Sequence, residues 1–348
     1  MKINYKSLIL LLITHSLFSQ SNKDVKHYYD LVNGAEMNIA SEKYDSALLK
    51  YKQSLKYLSQ FSDDSYNALL CALECKKFED ATVFASKLIN KGVPTNFFYK
   101  KKIFNILTKS KYWDKYVSTQ PKPKYNLNLH NVFDSLVLID QKYRIDDIRF
   151  RDSMLIIDSM INEKVWSIFK QNGFPTEDLL GLWMYNDSTI NFGWNPFDVI
   201  MIHQIKNNRE EFVDFLTNSV HSGKMSNGKY VTHSKNFLPN KLNLYGCLRE
   251  IQAVLVQVEG ELLTCCCEEE SQIDKNRSKI YLEPLTEKRR KSEFMHDKNV
   301  AFIIPLGVAV YSSSKGSDDL KKLKNELIND KKFIIYKKLN SNASYLKQ

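Results

Sequence analysis

The residues best placed to do chemistry are polar side chains set into stretches that otherwise read as apolar helix. Asp140-Gln141 is followed by Arg144, and on a helix Asp140 and Arg144 are i, i+4 neighbours that can pair. Asp158 and Asn162 repeat that spacing one helix later. His203 sits among Val199, Ile200, Met201 and Ile202, which places an ionisable ring at least partly inside the protein. Tyr245-Gly246 ends a loop. Histidine suits proton transfer because its ordinary pKa lies near neutrality. A pocket built from these groups would let His203 move a proton and Arg144 hold an anion, with Asp140 or Asp158 orienting the ring. The same residues also suit a buried polar network that pins helices together. The sequence leaves both open and names no reaction. It holds no phosphate-binding glycine loop, no Gly-x-Ser-x-Gly elbow and no His-Glu-x-x-His.

The cysteines add little chemistry. Cys71 and Cys75 stand i, i+4 on a predicted helix, which holds them further apart than a disulfide tolerates. Cys265, Cys266 and Cys267 are consecutive, and in a strand their side chains alternate between faces. They read as free thiols acting as small hydrophobes. Zinc would want Cys-x-x-Cys pairs with histidines, and none is present, so neither metal nor cofactor is expected. The net charge is +10, but the lysines are scattered and not gathered on one face among aromatic residues. That pattern argues against a nucleic-acid partner.

Helices must position the candidate residues. Residues 132–151 and 154–171 read as helices, the second stopping at Asn172-Gly173-Phe174-Pro175. Asn195-Pro196 starts the helix that carries His203, and Glu210 to His221 is another, ended by Gly223. After Tyr245-Gly246 the period changes. Residues 251–267 read as a β-hairpin turning at Glu259-Gly260. Residues 291–348 form a β/α extension: a β-rich stretch at 300–311, a helix at 318–329 and a short strand at 333–336.

The order of these motifs resembles an uncharacterised bacterial domain family over about residues 132–290. The shared elements are Asp140-Gln141 with Arg144, Asp158 with Asn162, Gly173-Phe174-Pro175, Gly181, His203 and Tyr245-Gly246. Members are often exported and often carry helical repeats in front. The resemblance implies no activity. This chain has Ile202 where the family has Gln, His233-Ser234-Lys235 where an Asp-Arg pair is usual, and Cys247-Leu248 in place of Thr-Gln. If the lost groups line a site, this copy is altered.

Residues 24–120 carry a repeat. Tyr44-Asp45, Phe78-Glu79 and Tyr112-Trp113 follow one another at 34 residues, with Ala47, Ala81 and Lys115 behind them in phase. Helix–turn–helix units of the tetratricopeptide type have that period and keep small residues where the helices touch. The array resembles that family and implies a surface for a protein partner. Pro121 and Pro123 open a linker over 121–131. At the other end, Lys2 and Lys6 precede an apolar run from Leu8 to Phe18 and small residues at Ser19-Gln20-Ser21. Residues 1–20 therefore read as a secretory signal, too short to stay as a membrane span, and no later stretch is long and apolar enough to be one. The expected fold is mainly α: a short tetratricopeptide-like α-solenoid and an α-rich α+β domain with a β-hairpin. The expected function is that of an exported scaffold, periplasmic or extracellular, which binds a protein partner through its repeats. The alternative is a hydrolase-like or small-ligand-binding activity using the His/Arg/Asp cluster.

Overall fold

Small side chains decide how the first helices meet. The computed structural model describes residues 22–142, 144, 151–186, 189–192, 195–207, 209–237, 245–246, 253–265, 267–298, 301–304, 308–310, 317–329 and 333–338. The expected signal, Cys247 and Cys266 lie outside the described residues. Helices α1 (Asn22–Ile39) and α2 (Tyr44–Ser54) form one hairpin, and α3 (Ser62–Glu74) and α4 (Phe78–Asn90) the next. Ala35, Ala47, Ala72, Ala81 and Ala85 are fully buried, so the helix backbones approach closely. The two turns close in the same way. Glu42 and Lys76 both adopt a left-handed φ of 56°. Lys43 N–H donates to Asn38 O and Lys77 N–H to Ala72 O, each at 2.8 Å. This wide backbone closure satisfies the last carbonyls of each helix, and here Glu and Lys carry the conformation that glycine usually supplies.

The third unit departs from the expected helix over 97–109. It consists of α5 (Thr95–Lys100), a 3₁₀ turn at Lys102–Phe104, α6 (Asn105–Thr108) and α7 (Lys111–Val117). On a straight helix Phe98 and Phe104 would point about 120° apart around the axis. Extended backbone at Lys101 lets Phe104 reach both Phe97 and Phe98, with ring centroids 5.7 and 5.3 Å away.

Helix α8 (Leu127–Lys142) begins inside the expected linker, which is thereby shortened. The linker is tied down by Lys124 N–H to Asn90 O at 2.8 Å and Asn126 N–H to Leu179 O at 2.9 Å. Next come α9 (Arg151–Asn172), α10 (Glu177–Leu180), the short ribbon β1 (Met184–Asn186) and β2 (Thr189–Ile190), α11 (Pro196–Asn207), α12 (Arg209–His221) and α13 (Asn227–Phe237). Asn195 caps α11 reciprocally: its Oδ1 accepts from Asp198 N–H and Asp198 Oδ2 accepts from Asn195 N–H, both at 3.0 Å. Phe133, Phe169, Phe197 and Phe212 bind α8, α9, α11 and α12 into one core.

The hairpin is β3 (Leu255–Val258) and β4 (Glu261–Cys265), joined by Glu259 and Gly260, both at positive φ as a two-residue turn of this kind demands. It is followed by α14 (Cys267–Lys279), α15 (Leu285–Lys298), β5 (Val308–Val310), α16 (Ser317–Asn329) and β6 (Phe333–Lys338). The sheet order is β5-β3-β4-β6, with β3 and β5 parallel and the other pairs antiparallel. Two boundaries are corrected by this. The expected domain edge at 290 falls inside α15, and the hairpin shares a sheet with the C-terminal strands. The molecule is mainly α with small sheets.

The N-terminal helices do not close their own core. Leu182, Ile190, Phe294, Phe302 and Ile304 complete it. Tyr44 stacks on Phe302 with centroids 5.6 Å apart. The Asn67 amide holds the Ile303 backbone at both ends, donating to its carbonyl at 2.8 Å and accepting its N–H at 2.7 Å. Glu177 sits at the N-terminus of α3, accepting from Ser62 N–H at 2.8 Å, Ser62 Oγ at 3.0 Å and Lys91 Nζ at 3.1 Å. A carboxylate there meets unpaired backbone N–H groups and the positive end of the helix dipole.

Candidate functional site

The structure brings together five of the six expected residues. Asp140 lies on the buried stripe of α8 with Phe133 and Leu136, and Asp158 on the buried stripe of α9 with Ile161 and Val165. His203 faces them from α11. Arg144 follows α8 in a turn whose N–H donates to Gln141 O at 3.2 Å. Asp140 is the hub, its side chain 0% exposed. Arg144 grips it with Nη2 to Oδ1 at 2.8 Å and Nε to Oδ2 at 3.2 Å. His203 Nδ1 lies 2.8 and 3.0 Å from the two oxygens, and Gln141 Nε2 donates to Oδ2 at 2.7 Å. Arg144 Nη2 also donates to Asp158. Burial alone would raise the Asp140 pKa; the bonds from His203, Arg144 and Gln141 outweigh it and bring it down to about 2.

A carboxylate on Nδ1 leaves Nε2 of His203 as the base, which is the half of an acid–base site the sequence anticipates. The His203 side chain is 18% exposed. Asn162, one turn from Asp158, does not join: its Nδ2 makes no hydrogen bond among the described residues. Tyr245 is elsewhere, packed edge-on against Tyr230 with centroids 6.3 Å apart, its carbonyl accepting from Arg277 Nη1.

A second carboxylate–histidine pair was not legible beforehand. His233 is buried with Nε2 3.0 Å from Asp198 Oδ1, and Lys229 Nζ lies 3.3 Å from Oδ2. Burial raises the Asp198 pKa, but Lys229 and His233 overcome it and hold the group down. Both partners are too deep to meet a substrate.

Tyr245 instead marks a cavity of about 230 Å³ between the first helices and the C-terminal ones. Tyr29, Asn33 and Glu36 reach it from α1, Asp63 and Asp64 from α3, Asn227 and Gly228 from α13, Arg277 from α14 and Lys288 and Lys291 from α15, with Tyr281 and Glu283 from the loop between α14 and α15. Lys291 is held by Asn33 Oδ1 at 2.9 Å, Glu283 Oε1 at 2.9 Å and Glu36. Arg277 Nε donates to Glu283 O, and its Nη2 lies 3.3 Å from Glu283 Oε2 without making a hydrogen bond among the described residues. Asp64 accepts from the Tyr28 hydroxyl, and Asp63 Oδ1 from Asp64 N–H at 3.0 Å. Burial and the neighbouring Glu177 push Asp63 up to about 7, while burial drives Lys288 down to about 8 despite Glu283. Burial and the Lys291 and Arg277 charges act oppositely on Glu283, and the charges win, down to about 2.

Among the described residues no group of three His, Cys, Asp or Glu side chains is arranged to hold a metal, and no helix is long and apolar enough to cross a membrane. Cys71, buried, and Cys75, half-buried, are free thiols. Comparison with family models, with curated proteins and with solved structures gives no match to this chain.

Proposed function

We propose that this protein is an exported binding protein, in which tetratricopeptide-like helix pairs and the domain behind them enclose a pocket for a small polar ligand. The observation that carries this reading is the cavity itself: its walls come from α1 and α3 on one side and α13 to α15 on the other, and they concentrate opposed charges. Buried ionisable groups in a concave site are characteristic of ligand recognition. The Asp140 cluster supports a structural role instead, because its groups satisfy one another.

Gly228 supplies the test. It lies on a cavity wall, and a side chain there would start in open space, with nothing within 4 Å of its Cβ. A thermal-shift screen of small polar molecules should yield one that raises the melting midpoint of the full chain but not of Gly228→Trp. Equal stabilisation of both would place the ligand elsewhere, and a screen with no stabiliser would defeat the reading. Export is checked by mass spectrometry of the mature N-terminus, expected between Gln20 and Asn22; retained Met1 refutes it.

A second reading, a protein partner for the helix pairs, is favoured by Leu49 on α2 and Val83 on α4. They are 58% and 47% exposed, at matching positions one repeat apart. Tyr281 stacks on Tyr29 of α1 and the Ile303 backbone is held by Asn67 of α3, so later segments of the same chain cover the inner helices and a partner would meet the outer ones. Replacing Leu49 and Val83 with Lys should then abolish a partner interaction while cavity binding persists.

A further inference from the structure

Helix α9 carries apolar residues on both its sides. Asp158, Ile161, Val165 and Ile168 belong to its buried stripe. On its outer side Leu155, Ile156 and Met160 are 60%, 64% and 60% exposed. Single exposed apolar residues are ordinary; a cluster of large ones marks a contact surface. A groove on the outer face of α8 and α9 shows how the cluster continues. Its walls include Val132, Ser135 and Leu136 from α8 and Lys164 from α9. One helical turn toward the end of α8, Ile139 follows Ser135 and Met160 precedes Lys164, so both walls become apolar. Leu138 and Ile139 are 72% and 43% exposed. On the inner side of the same segment, Arg144 joins Asp140 of α8 to Asp158 of α9. The outer face is thereby presented on helices already fastened together, which lowers the ordering cost of a contact.

We propose that this face is the interface between two copies of the chain, which pack α9 against α9 in antiparallel fashion about a twofold axis. A twofold contact must be complementary to itself, and the sequence of α9 is. Arg151 and Asp152 precede the apolar residues and Glu163 and Lys164 follow them, all four exposed. With the axis between Ile157 and Asp158, Leu155 of one copy stands level with Met160 of the other. Ile156 stands level with Ser159, whose small side chain admits it. Arg151 and Asp152 then reach the level of Glu163 and Lys164 of the second copy. Each end of the contact gathers both signs of charge in equal number, with Arg151 about 1.5 Å along the axis from Glu163 and Asp152 as far from Lys164. An apolar centre between charged rims is the usual build of a protein–protein contact. A partner with a strong charge of one sign would find half of each rim against it.

Sedimentation velocity of the full chain tests this and should show a monomer–dimer equilibrium at micromolar concentration. Ile156→Asp and Met160→Asp each enter the contact twice. Either should weaken the dimer about tenfold or more, equivalent to about 1.4 kcal/mol, and both variants should melt as the native chain does because the side chains are exposed. Leu49→Asp, an equal change on α2, should leave the dimer intact. Arg151→Glu should weaken it, and Arg151→Glu combined with Glu163→Arg should restore it. A monomer throughout the micromolar range, or a dimer that survives both apolar substitutions, overturns the inference. So does a dimer that Leu49→Asp breaks and Ile156→Asp does not, which would move the contact to the helix pairs. A double reversal no tighter than the single one overturns the antiparallel arrangement.

Discussion

Asp140 and Asp63 are both carboxylates drawn into helix-lined interiors, and they end at opposite extremes. Asp140 has donors from His203, Arg144 and Gln141, and is held down to about 2. Among the described residues Asp63 accepts one backbone N–H, from Asp64, and beside it are Asp64 and Glu177, so it is driven up to about 7. Burial opposes ionisation in both places; the supply of donors decides the outcome. A saturated carboxylate has nothing left to offer a ligand and serves to fasten helices. An undersupplied one keeps an unmet demand for positive charge, and a cavity beside it gives that demand somewhere to be met.

The largest effect should come from unmaking the saturated site. Asp140→Ala takes the carboxylate from His203 and leaves Arg144 with Asp158 alone, and urea melts should show a loss of about 3–5 kcal/mol, the usual result of breaking a buried ion pair. A loss under about 1 kcal/mol would mean that water already serves these groups, and the contrast with Asp63 would collapse. The undersupplied site should respond in the other direction. Unfolded, Asp63 loses its proton near pH 3.8, and folded only near about 7. Between these values the native state binds the extra proton, so this term makes stability fall as pH rises. Asp140 acts oppositely: it stays ionised down to about 2 when folded, against 3.8 unfolded. Its contribution is therefore complete above the unfolded value and fades as pH falls toward the folded one. Asp63→Asn should flatten the decline and stabilise the chain at pH 8 by on the order of 1–2 kcal/mol. Parallel pH profiles for the variant and the native chain would show that Asp63 is not under strain. The smallest effect separates volume from charge. Gly228→Ala adds one methyl group to the cavity wall within a helix and should stabilise by at most about 0.5–1 kcal/mol. A destabilisation would mean that the wall is already closely packed.

The sequence made the saturated site visible and hid the other, for a physical reason. Asp140 and Arg144 lie one helical turn apart, and Asp158 and His203 fall on apolar stripes, so each stands out as a misplaced polar group. Ala47 and Ala81 were legible through their phase, and the hairpin through Glu259-Gly260. The cavity residues send no such signal. Asp63 and Asp64 look like ordinary first-turn acids of a helix, and Lys288 and Lys291 like a solvated face. Only the approach of α1 and α3 to α15 makes them neighbours. Helices α14 and α15 were themselves missed, because their sequences are dominated by charge and carry no apolar stripe to mark a period. Tyr245 was grouped with the wrong site because its order along the chain, and not its contacts, was the guide.

The pair of hydrogen bonds between the Asn67 amide and the Ile303 backbone joins residues 236 apart in the chain. Bringing such distant segments together carries a loop-closure cost before any contact rewards it, which slows folding. Helices α1 to α4 consist of local hairpins that can form early, yet Tyr44 and Tyr66 await Phe302 and Phe192 as partners from later segments. On a ribosome, that surface stays uncovered until Phe302 has emerged. Helices synthesised earlier are finished only by segments synthesised later.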